Sequence, residues 1–306
     1  MRRSLFSLSF IIGFLFFITI IPARAEGIVV IKSHNIEPIN QALAGFIEAC
    51  PNHITEYTLG GNRRGETEII DRIIAARPRL VLAIGALAAK TAKERLQDIP
   101  IVFLMVPNPR KFALEGENIG GISLDIPIER QFAQYKSIVP TLKTIGVVYD
   151  PEKTGEIIKE ASSVVEKLGL HLLTSPATSQ KGVPAALRSI LGKIDMLWMV
   201  PDDTVVTPES FKFFLLTAFE NNLPFMAVSD IFVEAGALAS LSPDYTAMGH
   251  QACQVVNDIR SGRMSLQDID ILPPAKVNLV INLKSASKIG LTLPLEIIKS
   301  AKKVYR

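Results

Sequence analysis

Along the chain, short apolar runs end in turn residues and lead into stretches of helical spacing. IVVIKS (28–33) is a β-branched run followed by an amphipathic stretch from Glu37 to Cys50. HITEYTL (53–59) ends at Gly60-Gly61, and the next stretch, Glu66 to Arg77, puts Ile69, Ile70, Ile73 and Ile74 on one face of a helix. RLVLAIG (79–85), an alanine-rich helix, IPIVFLMV (99–106) and GGISL (120–124) follow. From residue 144 the pattern runs again. TIGVVYD, LHLLTS (170–175), DMLWMV (195–200), LPFMAVS (223–229) and ALASLS (237–242) read as strands. Helices are predicted over Glu156–Lys167, Pro184–Leu191 and Pro208–Asn221, the first stopping at Gly169.

Five apolar strands separated by helices, twice over, predict an α/β protein of two doubly wound, Rossmann-like lobes with parallel sheets covered on both faces. Ligands of such sheets bind beyond the carboxyl ends of the strands. In the first lobe those ends carry Ser33-His34-Asn35, Gly60-Gly61-Asn62, Gly85-Ala86 and Pro107-Asn108. In the second they carry Tyr149-Asp150, Ser175, Asp202-Asp203-Thr204, Ser229-Asp230 and Ser242 with Asp244-Tyr245. Polar loops on apolar strands suit a small-molecule cleft.

Composition narrows the function. The 306 residues suffice for two cores, and 48% hydrophobic with 21% charged residues is a globular balance. The net charge of +3 is local: Arg2, Arg3 and Arg24 lie in the first 25 residues, which hold no acid, and the remaining 30 Lys and Arg match 30 Asp and Glu. A neutral chain has no electrostatic reason to bind nucleic acid. The same 25 residues, with an apolar run from Phe10 to Ile21, Pro22 and Ala23-Arg24-Ala25, have the pattern of a cleavable signal peptide, so the mature protein is expected to start at Glu26, outside the cytoplasm. The apolar run is shorter than the ~20 residues that span a bilayer. Cys50 and Cys253 could bridge in an oxidising compartment or remain two buried thiols.

Catalytic and metal chemistry find little support. His34, His53, His171 and His250 have no partner at ligand spacing, and no Cys-x-x-Cys occurs. There is no P-loop, no G-x-G-x-x-G and no G-x-S-x-G elbow, so neither cofactor nor catalytic residue is assigned. Asp202 and Asp203 are adjacent, so their side chains diverge. One is expected to be a turn or cap residue before the helix at Pro208 and the other to hold a ligand cation. Gly85-Ala86 places a helix N-terminus directly after a strand, where free N–H groups could hold a carboxylate. Trp198, inside its strand, reads as core.

The segments IGALAAK (84–90), IPIVFLMVPNP (99–109), ENIGGISL (117–124), TIGVVYDP (144–151), MVPDDTVV (199–206), GALASLSPDYTAMGHQA (236–252) and LVINLKSASKIGLTLP (279–294), in that order, resemble the substrate-binding proteins of ATP-binding-cassette importers typified by tryptophan and tyrosine binders. The resemblance implies the type I periplasmic binding protein fold: two lobes, three crossovers and hinge closure. It implies lobe one from 26–122 with 243–272 and lobe two from 123–242 with 273–306, crossing near Ile122-Ser123, Leu241-Ser242 and Leu272-Pro273. Both cysteines then fall in lobe one, which makes a bridge possible. Two positions depart from the family: Ala86 where a hydroxyl residue is frequent, and Asn108 where amino-acid binders carry an aspartate. They leave the ligand class open.

The expected function is therefore a monomeric periplasmic receptor, not an enzyme, that passes a small organic solute to an inner-membrane permease. A receptor for a membrane sensor, or an enzyme on the same scaffold, are the alternatives. Expected ligand contacts are Ser33, His34, Asn35, Gly85, Ala86 and Asn108 from lobe one, and Asp202, Asp203, Asp230 and Tyr245 from lobe two.

Overall fold

The computed structural model describes residues 25–306 apart from Asn52 and Asn62. The signal peptide expected over residues 1–25 falls on residues that, up to Arg24, lie outside the described ones.

The first sheet has the order β2-β1-β3-β4-β5, all parallel. Its strands are β1 (Ala25–Lys32), β2 (Ile54–Thr58), β3 (Pro78–Ile84), β4 (Ile101–Val106) and β5 (Ile119–Ser123). Alternation decides which side each residue faces. Val29, Ile31, Val81, Ala83, Ile101 and Phe103 form one core with α2 (Arg63–Ala76) and α3 (Ala86–Arg95). Ile28, Val30, Leu82 and Leu104 form the other with α1 (Glu37–Ala49) and a late helix, α9 (Tyr245–Arg260).

Helices α1 and α9 approach so closely that a Cβ on Gly249 would lie 2.1 Å from the Ala42 carbonyl oxygen, and one on Gly45 2.2 Å from that of Thr246. Only glycine permits this distance. A turn further along each helix, Cys50 and Cys253 are joined by a disulfide, with Cα atoms 5.6 Å apart.

The second sheet has the order β12-β11-β10-β9-β8-β6-β7. It comprises β6 (Thr144–Tyr149), β7 (His171–Pro176), β8 (Met196–Trp198), β9 (Phe225–Ala227), β10 (Ala239–Pro243), β11 (Val277–Asn282) and β12 (Lys303–Tyr305). The helices α4 (Ile128–Ile138), α5 (Pro151–Val165), α6 (Val183–Ile190), α7 (Pro208–Glu220), α8 (Asp230–Glu234), α10 (Leu283–Lys288) and α11 (Leu295–Ser300) belong to this half. Trp198 is core: it packs edge-on against Phe132 of α4, ring centroids 4.9 Å apart.

The sheets are parallel as expected, with one antiparallel pairing. β11 runs antiparallel to β10, with Pro243 opposite Val277. The chain leaves this lobe at the end of β10 and re-enters beside it, so the returning strand must run the other way. α5 also starts earlier than its apolar spacing suggested, because Asp150 caps it by accepting from the Glu152 N–H at 3.0 Å and Pro151 occupies the first turn.

Three links join the lobes: two leave strand carboxyl ends, and the third enters β11 at its amino end, beside the carboxyl end of β10. The chain passes from β5 to α4 through Leu124–Pro127, from β10 to α9 through Asp244, and back to β11 through Pro273–Lys276. Ile122 bridges to Leu272, and the Ser123 N–H donates to the Leu272 carbonyl at 2.8 Å. Because the other strands of each sheet, β11 and β12 excepted, run parallel to these, the carboxyl ends of both sheets face the same junction.

Candidate functional site

On the first lobe the site centres on the turn from β3 into α3. Gly85 has φ +91°, and a Cβ there would meet the Ser33 Oγ at 2.6 Å, so glycine is required. Ser33, buried at the end of β1, accepts a hydrogen bond from the Ala88 N–H at 2.9 Å and so serves as the cap that Gly85 cannot supply. The N–H groups of Ala86 and Leu87 have no acceptor among the described residues. They point out of the helix start beside partly exposed side chains, which is the arrangement that holds an anion.

His34 and Asn35 are exposed. Their neighbour Lys32 is the surprise of this loop. It is buried, and its Nζ reaches Glu56 at 2.6 Å and the Oδ1 atoms of Asn40 at 3.0 Å and Asn35 at 3.4 Å. The ammonium is thereby committed to its own lobe. A lysine ending an apolar strand was the available signal.

Asn108 adopts the left-handed region, φ 43°, and opens a 3-10 turn over Pro109–Phe112. Its N–H donates to Asp125 at 2.7 Å, and the same carboxylate oxygen accepts from Ser123 Oγ at 2.7 Å. Asp125 lies in the first crossover, so Asn108 is tied to the hinge by its backbone while its side chain stays exposed. Just before it, Met105 is buried with φ 61°, and the register of β4 against β5 slips between Leu104 and Val106. Such bulges re-aim the residues that follow a strand.

The second lobe separates the two adjacent aspartates. Asp202 is 1% exposed, and four donors from its own lobe reach its carboxylate: the Asp150 N–H (2.7 Å), the Thr154 hydroxyl (2.6 Å), the Thr204 N–H (3.0 Å) and the Val205 N–H (3.1 Å). A carboxylate offers about four lone-pair sites, so this one is filled. Asp150 is held in the same knot by the Thr204 hydroxyl at 2.7 Å. Asp203 is the exposed member of the pair. The helix at Pro208 is capped by neither, since Thr207 accepts from the Ser210 N–H at 3.2 Å.

Asp230 opens α8 and accepts from the Ser240 hydroxyl at 2.9 Å, leaving its second oxygen without a hydrogen-bond donor among the described residues. Tyr245, grouped with the second lobe in the sequence reading, starts α9 and packs against the first lobe's core. Burial, and then the charge of Asp230, push its phenol above the usual range. The Asp230 carboxylate is thus near enough to act electrostatically on the phenol at the start of α9. Among the described residues no group of three or more His, Cys, Asp or Glu side chains could hold a metal ion.

The candidate residues sit at strand carboxyl ends of both sheets, with open helix N–H groups on the first lobe and the carboxylates of Asp203 and Asp230 on the second. The chain belongs to the ABC transporter substrate binding protein family, whose model matches residues 52–305. It is 27% identical over 222 residues to a tyrosine-binding protein of Clostridioides difficile, covering 70% of this chain and 64% of the length of that relative. Two solved structures share the fold. A ligand-free, open substrate-binding protein with adhesive properties from Clostridium difficile has a TM-score of 0.77 at 20% identity over 92% of this chain and 99% of its own. An ABC domain from Streptococcus pneumonia in complex with L-Trp has a TM-score of 0.58 at 22% identity over 90% and 99%.

Proposed function

We propose that this protein is an extracytoplasmic receptor that closes on a small carboxylate-bearing solute, an amino acid or a close relative, and presents it to the permease of an ABC importer. The reading is supported by open N–H groups at Ala86 and Leu87 on one lobe and by the half-free carboxylate of Asp230 on the other. A carboxylate at the helix start and an ammonium at Asp230 give one ligand a hold on both lobes, and only such differential contact shifts a two-state equilibrium. Asp203 and the Tyr245 hydroxyl are further contacts on the same rim; Ser33 and Gly85 shape the helix start, and His34, Asn35 and Asn108 border it.

Export fits the basic, apolar leader, with lobe one built from 26–122 and 243–272 and lobe two from the remainder. No helix among the described residues is long and apolar enough to cross a membrane. The test is ligand binding to the mature chain. L-Tyrosine and L-tryptophan should raise the melting temperature with concentration, by the equivalent of about 2.7 kcal/mol at a hundred times Kd, and reduce the radius of gyration in solution scattering. Stabilisation with an unchanged radius puts the ligand within one lobe and overturns hinge closure; no stabilisation by these or other amino acids overturns the ligand class.

A further inference from the structure

The third link between the lobes, Pro273-Pro274-Ala275-Lys276, is unusual in what it can offer its neighbours. Two prolines fix φ and carry no N–H, so the segment is stiff and presents carbonyls. Its first available donor is the Ala275 N–H. These groups are gripped from both sides. Gln251, on α9 of the first lobe, donates through Nε2 to the Pro273 carbonyl at 3.0 Å and accepts through Oε1 from the Ala275 N–H at 2.9 Å. Arg130, on α4 of the second lobe, donates through Nη1 to the Pro274 carbonyl at 2.9 Å and to the Ala275 carbonyl at 3.2 Å. Ala275 is thus held at its N–H by one lobe and at its C=O by the other.

The surroundings support a movable grip. Arg130 has no carboxylate within ion-pair distance among the described residues, so the crossover carbonyls are its partners. It also borders a cavity of about 130 Å³ with Gln134, Leu241, Val277, Leu279 and Ser300, which gives its side chain room to follow the link. The carboxamide of Gln251 uses both its donor and its acceptor, which fixes its orientation.

We propose that Gln251 and Arg130 act in series as a latch: they couple the two lobes through the stiff Pro273–Ala275 link and set the width of the hinge motion. Both are positioning residues, and neither is among the ligand contacts named above. The inference goes beyond the receptor reading, because it concerns the free protein and does not depend on which ligand is bound.

The test is a distance measurement across the lobes without ligand. Spin labels are placed on Asp98→Cys in the first lobe and Lys167→Cys in the second, both exposed, and read by double electron–electron resonance. Gln251→Ala and Arg130→Ala should each broaden the interlobe distance distribution, and the double variant should broaden it no further than the wider single, because opening either end of a series coupling opens it all. Gln251→Glu keeps the acceptor for Ala275 but loses the donor to Pro273, so it should fall between parent and Gln251→Ala. Unchanged distributions overturn the proposal, including the case in which melting temperature drops alone, which marks a merely structural role. Additive broadening overturns the series arrangement. Failure of L-tyrosine and L-tryptophan to bind leaves these readouts untouched and bears only on the ligand reading.

Discussion

The Thr154 hydroxyl, on α5, donates to the carboxylate of Asp202 at 2.6 Å, and this bond sews the loop after β8 to the helix after β6. Together with the N–H groups of Asp150, Thr204 and Val205 it makes Asp202 the centre of a buried knot. Replacing Asp202 with Ala strands four donors in the interior. Each unsatisfied buried group costs about 1–3 kcal/mol before relaxation, so a loss of roughly 3 kcal/mol or more is expected from urea denaturation. Asp203→Ala, at an exposed turn position, should change stability by less than about 0.5 kcal/mol. Equal unfolding midpoints for the two variants would show that the knot contributes nothing.

The contrast between these neighbours also marks what the sequence made legible. The apolar runs located the five strands of the first sheet and five of the seven in the second, β6 to β10, with the strand-end loops, because burial leaves a clear apolar pattern. Asp202 and Asp203 looked alike, because two of the four donors that fill Asp202 come from residues some fifty positions away. Ser33 likewise reads as a loop hydroxyl until the fold brings α3 over it. The helix over Ile128–Ile138 was passed over although Ile128, Phe132, Tyr135 and Ile138 recur at helical spacing and are all buried. The grip of Gln251 and Arg130 on Pro273–Ala275 could not be read at all, since nothing local marks a side chain that binds a remote backbone.

The disulfide between Cys50 and Cys253 closes a sequence separation of 203 residues. It staples the two helices whose glycines already meet. Both cysteines are buried, at 1% and 3% exposure, so thiol reagents should label them only after reduction under denaturing conditions. Cys50→Ser with Cys253→Ser should cost about 2–5 kcal/mol, measured by denaturation of oxidised parent and double variant. Gly249→Ala tests the same contact independently: its methyl would fall 2.1 Å from a backbone oxygen, so the helices must separate. An unchanged melting temperature for Gly249→Ala would contradict the close approach.

Acid should loosen the hinge at a second point. Asp244 caps α9 through the Ala247 N–H at 3.1 Å and pairs with Lys276 at 2.9 Å, while its own N–H donates to the Lys276 carbonyl at 3.0 Å. Burial alone would raise its pKa; the hydrogen bonds from Lys276 and the Ala247 N–H, with the charges of Lys276 and Lys302, outweigh that and hold the carboxyl below the usual range. A carboxyl whose folded pKa is depressed adds stability above its unfolded value, about 3.9, and that stability is lost as pH falls through the folded value. Asp244→Asn should therefore lower stability at pH 7 and lose less than the parent between about pH 5 and pH 2. Parallel stability curves for the two proteins across that window would refute the assignment.

Tyr245 and Asp230 report on the closing of the site itself. Burial raises the phenol pKa first, and the Asp230 carboxylate adds to it by opposing a second negative charge nearby. Asp230→Asn removes that charge, so the Tyr245 pKa should move down toward the usual value of about 10. A ligand whose ammonium docks on Asp230 should act in the same direction, because the added cation favours the phenolate. A ligand that docks only through its carboxylate at the Ala86 and Leu87 N–H groups brings no cation and should leave the phenol high or raise it. Carbon-13 labelling of the five tyrosines, with Tyr245→Phe to assign the signal, follows the titration by NMR. If Asp230→Asn leaves the Tyr245 signal titrating as in the parent, the two side chains are not coupled across the junction. The ammonium grip at Asp230 then loses its electrostatic support, even where L-tyrosine or L-tryptophan still binds.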